Sequence, residues 1–212
     1  MEKITFEKLV GERDVFLNDN ANIDHVVITG NNNVLISATH GVEQTRNGKP
    51  KMYELGSVTT GLYLQKQTGS FFIAKTKNNN DDVNYDEQSS YKDSIKDLIR
   101  AGKIKYIIDL HGLAETRESE IDLGINGGKN VSNNIELFND LSTSLMASGF
   151  KVFIDEPFSG GDKTISGSLK NEFCDIWTIQ IEIRCDITNK KKNFEHYKTL
   201  LKALENWINK IQ

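Results

Sequence analysis

Short runs rich in β-branched and aromatic residues alternate along the chain with longer segments whose apolar residues recur at helical spacing. The short runs predict strands at 26–29, 34–37, 71–74, 104–110, 151–155 and 177–183. The longer segments predict helices over 53–67, 91–101 and 135–147, and along the tail from residue 194. Asparagine-rich stretches at 30–33 and 78–82 predict a turn and a loop.

This alternation favours an α/β fold in which helices cover both faces of a sheet. The run 104–110 is almost continuously apolar, which is typical of a central strand that is buried on both faces. We find no internal repeat and no linker, and 212 residues suit one domain. We therefore expect residues 1–212 to form a single domain, with ligands beyond the carboxyl ends of the strands.

Composition excludes several classes of protein. The net charge is -4 and no basic stripe stands out, so we expect no nucleic-acid partner. No run approaches the roughly 18 apolar residues of a membrane helix, and we expect no membrane partner. The first ten residues lack the apolar core of a signal peptide. Cys174 and Cys185 give no disulfide framework and are expected to be packed, reduced thiols of a cytoplasmic protein.

Ionisable side chains follow two of the predicted strands. The strand 34–37 runs into His40 and Glu43, and the strand 104–110 runs into His111. Two histidines and one glutamate are a common ligand set for catalytic zinc, which keeps a fourth position open to water. The pattern therefore predicts one zinc ion per chain, although the H-x-x-E string alone is a weak signal.

A proton carrier that does not bind the metal is also needed for hydrolysis. Glu182 is the best-placed candidate, because it lies in the strand 177–183 among apolar neighbours. A buried carboxylate is costly without a partner. The alternative is that Glu182 forms a structural ion pair with a lysine or arginine.

Several short motifs occur in a characteristic order between residues 34 and 184. They are His-Gly-x-Glu at 40–43, Asp-x-Asn at 82–84, Asp-Leu-His-Gly at 109–112, Gly-Gly at 160–161 and Gln-x-Glu at 180–182. Together they resemble the N-formylglutamate amidohydrolase family, a relative of the zinc carboxypeptidases and of the aspartoacylase and succinylglutamate desuccinylase group.

The resemblance implies a three-layer α/β/α fold around a mixed sheet, like that of the zinc carboxypeptidases. It implies zinc held by His40, Glu43 and His111, with Glu182 as general base and later general acid. The reaction would be hydrolysis of an amide bond in a small N-acylated, N-formyl-type amino acid by metal-activated water.

The sequence departs from the family at the residue that grips a substrate carboxylate. Tyr85 stands where relatives carry an arginine, and Asn84 beside it can still hydrogen-bond a substrate. We expect Arg117 to bind substrate instead, with Arg46 as another candidate. Arg184 lies on the same strand face as the proton carrier, so it is expected to stabilise charge in the site. A salt bridge is the alternative role for Arg117 and Arg184.

A glycine-containing loop at 157–164 also matches the family. Gly160 and Gly161 would let its backbone approach a ligand. Lys163 and Thr164 could contact an anionic group. The alternative is a plain turn after the strand 151–155.

Three functions are compatible with these residues. The first is a zinc-dependent amidohydrolase acting on a small N-acyl amino acid. The second is a zinc peptidase acting on peptides or cell-wall stems, which the loss of arginine at position 85 favours. The third is a non-catalytic module that binds a small ligand on the same fold. The oligomeric state is left open by the sequence.

Overall fold

A computed structural model describes residues 4–211, which contain seven α-helices and nine strands. The strands are β1 (His25–Ile28), β2 (Val34–Ala38), β3 (Gln44–Arg46), β4 (Lys49–Lys51), β5 (Phe71–Lys75), β6 (Tyr106–Leu113), β7 (Ile121–Gly124), β8 (Val152–Ile154) and β9 (Trp177–Arg184). The helices are α1 (Phe6–Asp19), α2 (Leu55–Thr68), α3 (Ser90–Arg100), α4 (Ile135–Ala147), α5 (Ile165–Glu172), α6 (Cys185–Asn189) and α7 (Phe194–Ile211).

Seven of the strands form one mixed sheet in the order β1-β5-β2-β6-β9-β7-β8. The central strands β5, β2, β6 and β9 are parallel to their neighbours in this run. The strand β1 is antiparallel to β5, and β7 is antiparallel to β9. The remaining strands, β3 and β4, form a separate antiparallel hairpin. Because β2, β6 and β9 are parallel neighbours, residues at their carboxyl ends meet at one edge of the sheet.

Both faces of the sheet are covered by helices. In β2, Val34 and Ile36 belong to a hydrophobic cluster that includes residues of α2 and α7. Leu35, between them, belongs to a second cluster that includes residues of α3 and α5. Alternate residues of a strand point to opposite faces, so the two clusters lie on opposite sides of the sheet. The predicted three-layer α/β/α fold with a mixed sheet is confirmed.

All the predicted strands and helices are present, with small differences at their ends. Five features were not predicted from the sequence: α1, α5, α6, β7 and the β3–β4 hairpin. The helix α1 buries only Leu9 and Arg13, so its apolar periodicity is weak. The strand β7 has four residues and carries Asp122 in its middle, which hides its strand character. Cys174, expected to be packed, is exposed, whereas Cys185 is half-buried.

Within residues 4–211, none of the helices combines the length and the apolar character that crossing a membrane requires.

The helix α2 packs closely on the sheet, and this contact gives a test of the fold. A Cβ atom at Gly61 would lie 2.3 Å from the ring of Phe72 in β5, which is fully buried. We expect Gly61→Ala to lower the free energy of unfolding by about 1–3 kcal/mol through overpacking. The matched control is Gly11→Ala in α1, where a Cβ would meet nothing within 4 Å.

The control should raise the free energy of unfolding by up to about 1 kcal/mol through helix propensity alone. Urea unfolding of the two variants measures both values. Equal shifts in the two variants would show that α2 does not need a glycine for its contact with the sheet.

Candidate active site

Two buried histidines meet at the carboxyl ends of neighbouring strands. His40 lies two residues after the end of β2, and His111 lies within β6. The two residues are 1% and 2% exposed, and their Nδ1 atoms are 3.2 Å apart. The turn at His40 requires the glycine that follows it, because a Cβ at Gly41 would lie 2.4 Å from the carbonyl oxygen of Lys75 in β5.

Glu54, the residue immediately before α2, lies against both histidines and forms a cluster with them. Its Oε1 lies 3.1 Å from Nδ1 of His40, and its Oε2 lies 3.2 Å from Nδ1 of His111. Ligands bonded at about 2.0–2.1 Å to a tetrahedral ion lie about 3.3 Å apart. The observed spacing is therefore that of three ligands around one metal ion. His40, Glu54 and His111 together form a candidate metal site.

The other nitrogen of each histidine ring faces a carboxylate. Nε2 of His40 lies 3.1 Å from Oδ1 of Asp82, and Nε2 of His111 lies 2.9 Å from Oδ2 of Asp109. A carboxylate accepts hydrogen bonds, so Nε2 would keep its hydrogen atom in each ring when a metal ion replaces any proton on Nδ1. Both Nδ1 atoms then present their lone pairs to the centre, as ligand histidines in metal sites do.

These two carboxylates are themselves held in place. Asp82 accepts a hydrogen bond of 2.6 Å from Nε of Arg46 in β3. Asp109 accepts one of 2.8 Å from Ser37, whose hydroxyl group also contacts the buried Tyr91 of α3 at 2.9 Å. The orientation of the histidines is therefore fixed by the sheet, by the hairpin and by α3.

Carboxylates outnumber the imidazole rings in this part of the site. Three carboxylates, those of Glu54, Asp82 and Asp109, surround two imidazole rings. Burial opposes ionisation of Glu54, yet the two histidines hold its pKa well below the usual range. Burial also opposes a charge on His111, but Asp109 and Glu54 hold the pKa of that ring well above its usual range. Such a centre favours a cation, and a divalent metal displaces a proton from its ligands.

Glu182 lies beside this cluster on β9. It is paired in register with His111 of the neighbouring strand and is 5% exposed. Burial raises the pKa of Glu182 to about 7. Gln180 donates a hydrogen bond of 2.8 Å to its Oε1. A carboxyl group with such a pKa can both accept and donate a proton near neutral pH.

A cavity of about 300 Å³ opens onto the cluster and onto Glu182. Its walls carry three cationic side chains, those of Arg46, Lys51 and Lys163. Lys51 in β4 donates to Oε1 of Glu54 at 2.5 Å, so its charge reaches the cluster. The cavity wall thus carries positive charge, and the base of the cavity is rich in carboxylates.

The structure does not bring Glu43 to the histidines. This residue is exposed in the segment between β2 and the hairpin, and Glu54 takes the place expected of it. The reason is local, because the turn after His40 directs the following residues into β3 rather than back over the strand ends. The candidate metal site that the structure brings together is therefore His40, Glu54 and His111, without Glu43.

The two arginines favoured from the sequence also lie outside the cavity wall. Arg184 pairs with Asp186 at 2.7 Å and with Glu120 at 3.4 Å, which is the salt-bridge alternative. Arg117 is exposed, with its guanidinium 6.0 Å from the ring of Phe158 at the cavity rim.

The two glycines of the loop 157–164 serve backbone packing rather than lining the cavity. A Cβ at Gly160 would lie 2.9 Å from the carbonyl oxygen of Gly124, and the carbonyl of Gly161 accepts a bond from Thr164. The cavity is reached instead by side chains of this loop, including those of Lys163 and Thr164.

The expected substrate residues Asn84 and Tyr85 do line the cavity. Oδ1 of Asn84 accepts a hydrogen bond of 2.8 Å from the backbone of Ile165, so the amide nitrogen is the end left for a ligand. The ring of Tyr85 contacts Arg46 and Lys163, whose charges lie 5.1 and 5.2 Å from its centroid.

Sequence reasoning missed Glu54 and Lys51. Glu54 occupies the N-cap position of α2, but its side chain makes no capping hydrogen bond. An acidic residue at the start of a predicted helix is ordinarily explained by capping, so nothing in the local sequence pattern assigns it to a metal. Lys51 belongs to the hairpin, which was not predicted.

Comparisons with known proteins give matches among solved structures but none by sequence. No family model matches the sequence, and no curated protein matches it. N-formylglutamate amidohydrolase from Ralstonia eutropha JMP134 superposes with a TM-score of 0.61 and 12% identity, covering 89% of this chain and 96% of that chain. A bacteriophage poly-gamma-glutamate hydrolase superposes with a TM-score of 0.56 and 14% identity, covering 91% of this chain and 93% of that chain.

A metallo-carboxypeptidase from Burkholderia cenocepacia gives a TM-score of 0.55 and 10% identity, covering 95% of this chain and 69% of that chain. At such identities the likeness establishes the fold. The chain therefore has the zinc-carboxypeptidase-like fold that N-formylglutamate amidohydrolase shares, which is the structural relationship that the sequence motifs predicted.

Proposed function

We propose that this protein is a zinc-dependent hydrolase that cleaves an amide bond of a small N-acylated amino acid. His40, Glu54 and His111 would hold one zinc ion per chain, and Glu182 would act as general base and then as general acid. The observation that carries the proposal is the convergence of three side chains beside a buried carboxyl group: the two histidine Nδ1 atoms lie 3.2 Å apart, and each lies 3.1–3.2 Å from one of the two carboxylate oxygens of Glu54.

The donor set fits zinc. Two imidazole nitrogens and one carboxylate leave a fourth position open, which is the arrangement of catalytic rather than structural zinc sites. Outer carboxylates on both histidines are also typical of zinc centres. Zinc in such a site supplies Lewis acidity, which polarises a carbonyl group and makes water acidic enough to attack it near neutral pH.

The protein's own groups then handle the protons and the charge. Glu182 takes a proton from the attacking water on its carboxylate and passes it to the nitrogen of the leaving amine. Gln180 holds one oxygen of that carboxylate, so the other is directed to the reaction. Lys51, which reaches the cluster, supplies positive charge against the oxyanion. This role was expected of Arg184, whose partners lie elsewhere.

A zinc peptidase is the second candidate. A peptidase would use the same metal centre, and the chain shares its fold with a metallo-carboxypeptidase. Turnover of short peptides in preference to N-formyl and N-acetyl amino acids would select this function. A non-catalytic binding module is the third candidate. The presence of three candidate ligands and a proton carrier in one site makes it less favoured than a hydrolase.

Three further expectations stay predictions: a single domain, a cytoplasmic location and the absence of a nucleic-acid partner.

The ligand assignment gives a direct test. We expect about one zinc per chain in the parent protein, and loss of that zinc in Glu54→Ala, His40→Ala and His111→Ala. Removal of a ligand should cost more than the roughly 10–100-fold in affinity that follows loss of an outer partner. Metal analysis after dialysis against a chelator of known affinity measures the change.

The matched control is Glu43→Ala, which removes the exposed glutamate of the same chain segment. It should keep its zinc. Loss of zinc in this control with retention in Glu54→Ala would reverse the assignment of the third ligand.

The proton carrier is tested by Glu182→Gln. This variant should keep its zinc but lose about 10²–10⁴-fold in kcat, because the amide cannot accept a proton. Activity is measured on a panel of N-formyl amino acids, N-acetyl amino acids and short peptides. Glu136→Gln, on the exposed side of α4, is the control and should retain full activity. Undiminished turnover by Glu182→Gln would reject the mechanism.

A further inference from the structure

A second cluster of ionisable and nucleophilic side chains lies at one edge of the sheet. His25 is the first residue of β1, the edge strand, and Ser94 lies in α3. Nε2 of His25 lies 2.8 Å from the hydroxyl oxygen of Ser94, and Nδ1 lies 2.6 Å from Oδ2 of Asp24. We call these three residues the edge triad. The cavity beside Glu182 is lined by other residues.

The carboxylate of Asp24 is held in place by several donors. Its Oδ2 also accepts a hydrogen bond of 2.6 Å from Ser90, and its Oδ1 accepts one from the buried Lys75. Burial opposes ionisation of Asp24, yet hydrogen bonds from the lysine, the serine and the imidazole lower its pKa to about 2. Asp24 is therefore an anion at neutral pH, with a fixed orientation towards the imidazole ring.

This anion determines which nitrogen of the neutral His25 ring carries the hydrogen atom. A carboxylate accepts hydrogen bonds, so the hydrogen atom of the neutral ring lies on Nδ1. Nε2 then presents its lone pair to the hydroxyl group of Ser94. Among the residues that the structure describes, Ser94 is the only serine that is hydrogen-bonded to a histidine. A hydroxyl group, a base within hydrogen-bond reach and a third group that orients the base are the arrangement that activates a nucleophile.

The edge triad is accessible from solvent. Ser94 is half-buried, and the side chain of His25 is 13% exposed. Alternate residues of a strand share a face, so Val27 lies on the same side of β1 as His25, and it is 36% exposed. The edge of the sheet next to the imidazole is thus uncovered, and a small acyl donor can approach the hydroxyl group there.

The position of Ser94 within α3 determines which donors it can attack. Ser94 is the fifth residue of the helix, so its backbone N–H belongs to the hydrogen bonds of the helix and does not stabilise an oxyanion. Cleavage of an amide by a serine depends on such stabilisation. The edge triad therefore fits activated esters, whose leaving groups depart readily, rather than amides.

We propose that the edge triad is a second reactive site, at which Ser94 accepts the acyl group of an activated ester. The hydroxyl oxygen of Ser94 attacks the carbonyl carbon, and its proton passes to Nε2 of His25. The bond between the carbonyl carbon and the leaving oxygen then breaks, and the leaving group departs with the electron pair. An ester of Ser94 remains, and His25 releases its proton to the leaving group or to water.

The covalent adduct gives the direct test. The protein is incubated with p-nitrophenyl acetate, and peptide mass spectrometry locates the acetyl group; hydroxylamine removes an ester but leaves acetylated lysine. We expect a hydroxylamine-sensitive acetyl group on Ser94. Ser94→Ala should lose it. His25→Gln should slow its formation by about 10²–10⁴-fold, because the amide can hydrogen-bond but cannot take the proton.

Two controls separate the edge triad from other reactive groups. Ser144→Ala removes a half-buried serine of α4 and should leave the acetylation of Ser94 unchanged. Addition of a chelator to the parent protein should also leave it unchanged, since the edge triad uses no metal. Thermal unfolding of each variant shows whether a loss of the adduct reflects a loss of the fold.

No ester on Ser94 in the folded parent protein, or equal rates of its formation in the parent and in folded His25→Gln, overturns the proposal. The hydrogen bonds of His25 would then serve only to join β1 to α3. The result is independent of the metal-dependent hydrolase. Acetylation of Ser94 in a protein that hydrolyses no amide would keep the edge triad, and amide hydrolysis without acetylation of Ser94 would reject it alone.

Discussion

The hydrogen bonds between the two histidines and the carboxylates behind them are the constraint on which the rest of the site depends. Asp82 and Asp109 fix Nε2 of His40 and His111, and only this orientation directs both Nδ1 atoms to Glu54. Each carboxylate is anchored to a different part of the fold. The geometry of the candidate metal site therefore depends on tertiary contacts beyond its three candidate ligands.

The sequence predicted the parts of the molecule that follow from local pattern. The parallel central strands, the amphipathic helices and the two histidines at strand ends were all recognisable because each depends on a few consecutive residues. Their order gave the fold. The missed elements are short or lack apolar periodicity, as α1 and β7 show, and tertiary packing rather than local propensity decides their structure.

The members of the metal-site cluster were predicted only where they lie in a strand or just after one. Glu54 joins the cluster because the chain forms the β3–β4 hairpin before it enters α2. No spacing rule predicts how many residues such a hairpin places between the first histidine and the glutamate. The arginines were misjudged for a related reason. Proximity in sequence placed Arg184 near Glu182, whereas its guanidinium turns to Asp186 and Glu120 instead. Long side chains reach several partners, and only the fold selects among them.

The β3–β4 hairpin has a consequence for how such a site can diversify. It lies between the first histidine and the glutamate, yet it contributes no ligand to the cluster. It carries Arg46 and Lys51, two of the three cations of the cavity wall. Surface hairpins tolerate insertion and substitution better than sheet cores do. Changes in this hairpin can therefore alter the charge of the cavity wall while the candidate metal ligands and the sheet beneath them stay the same.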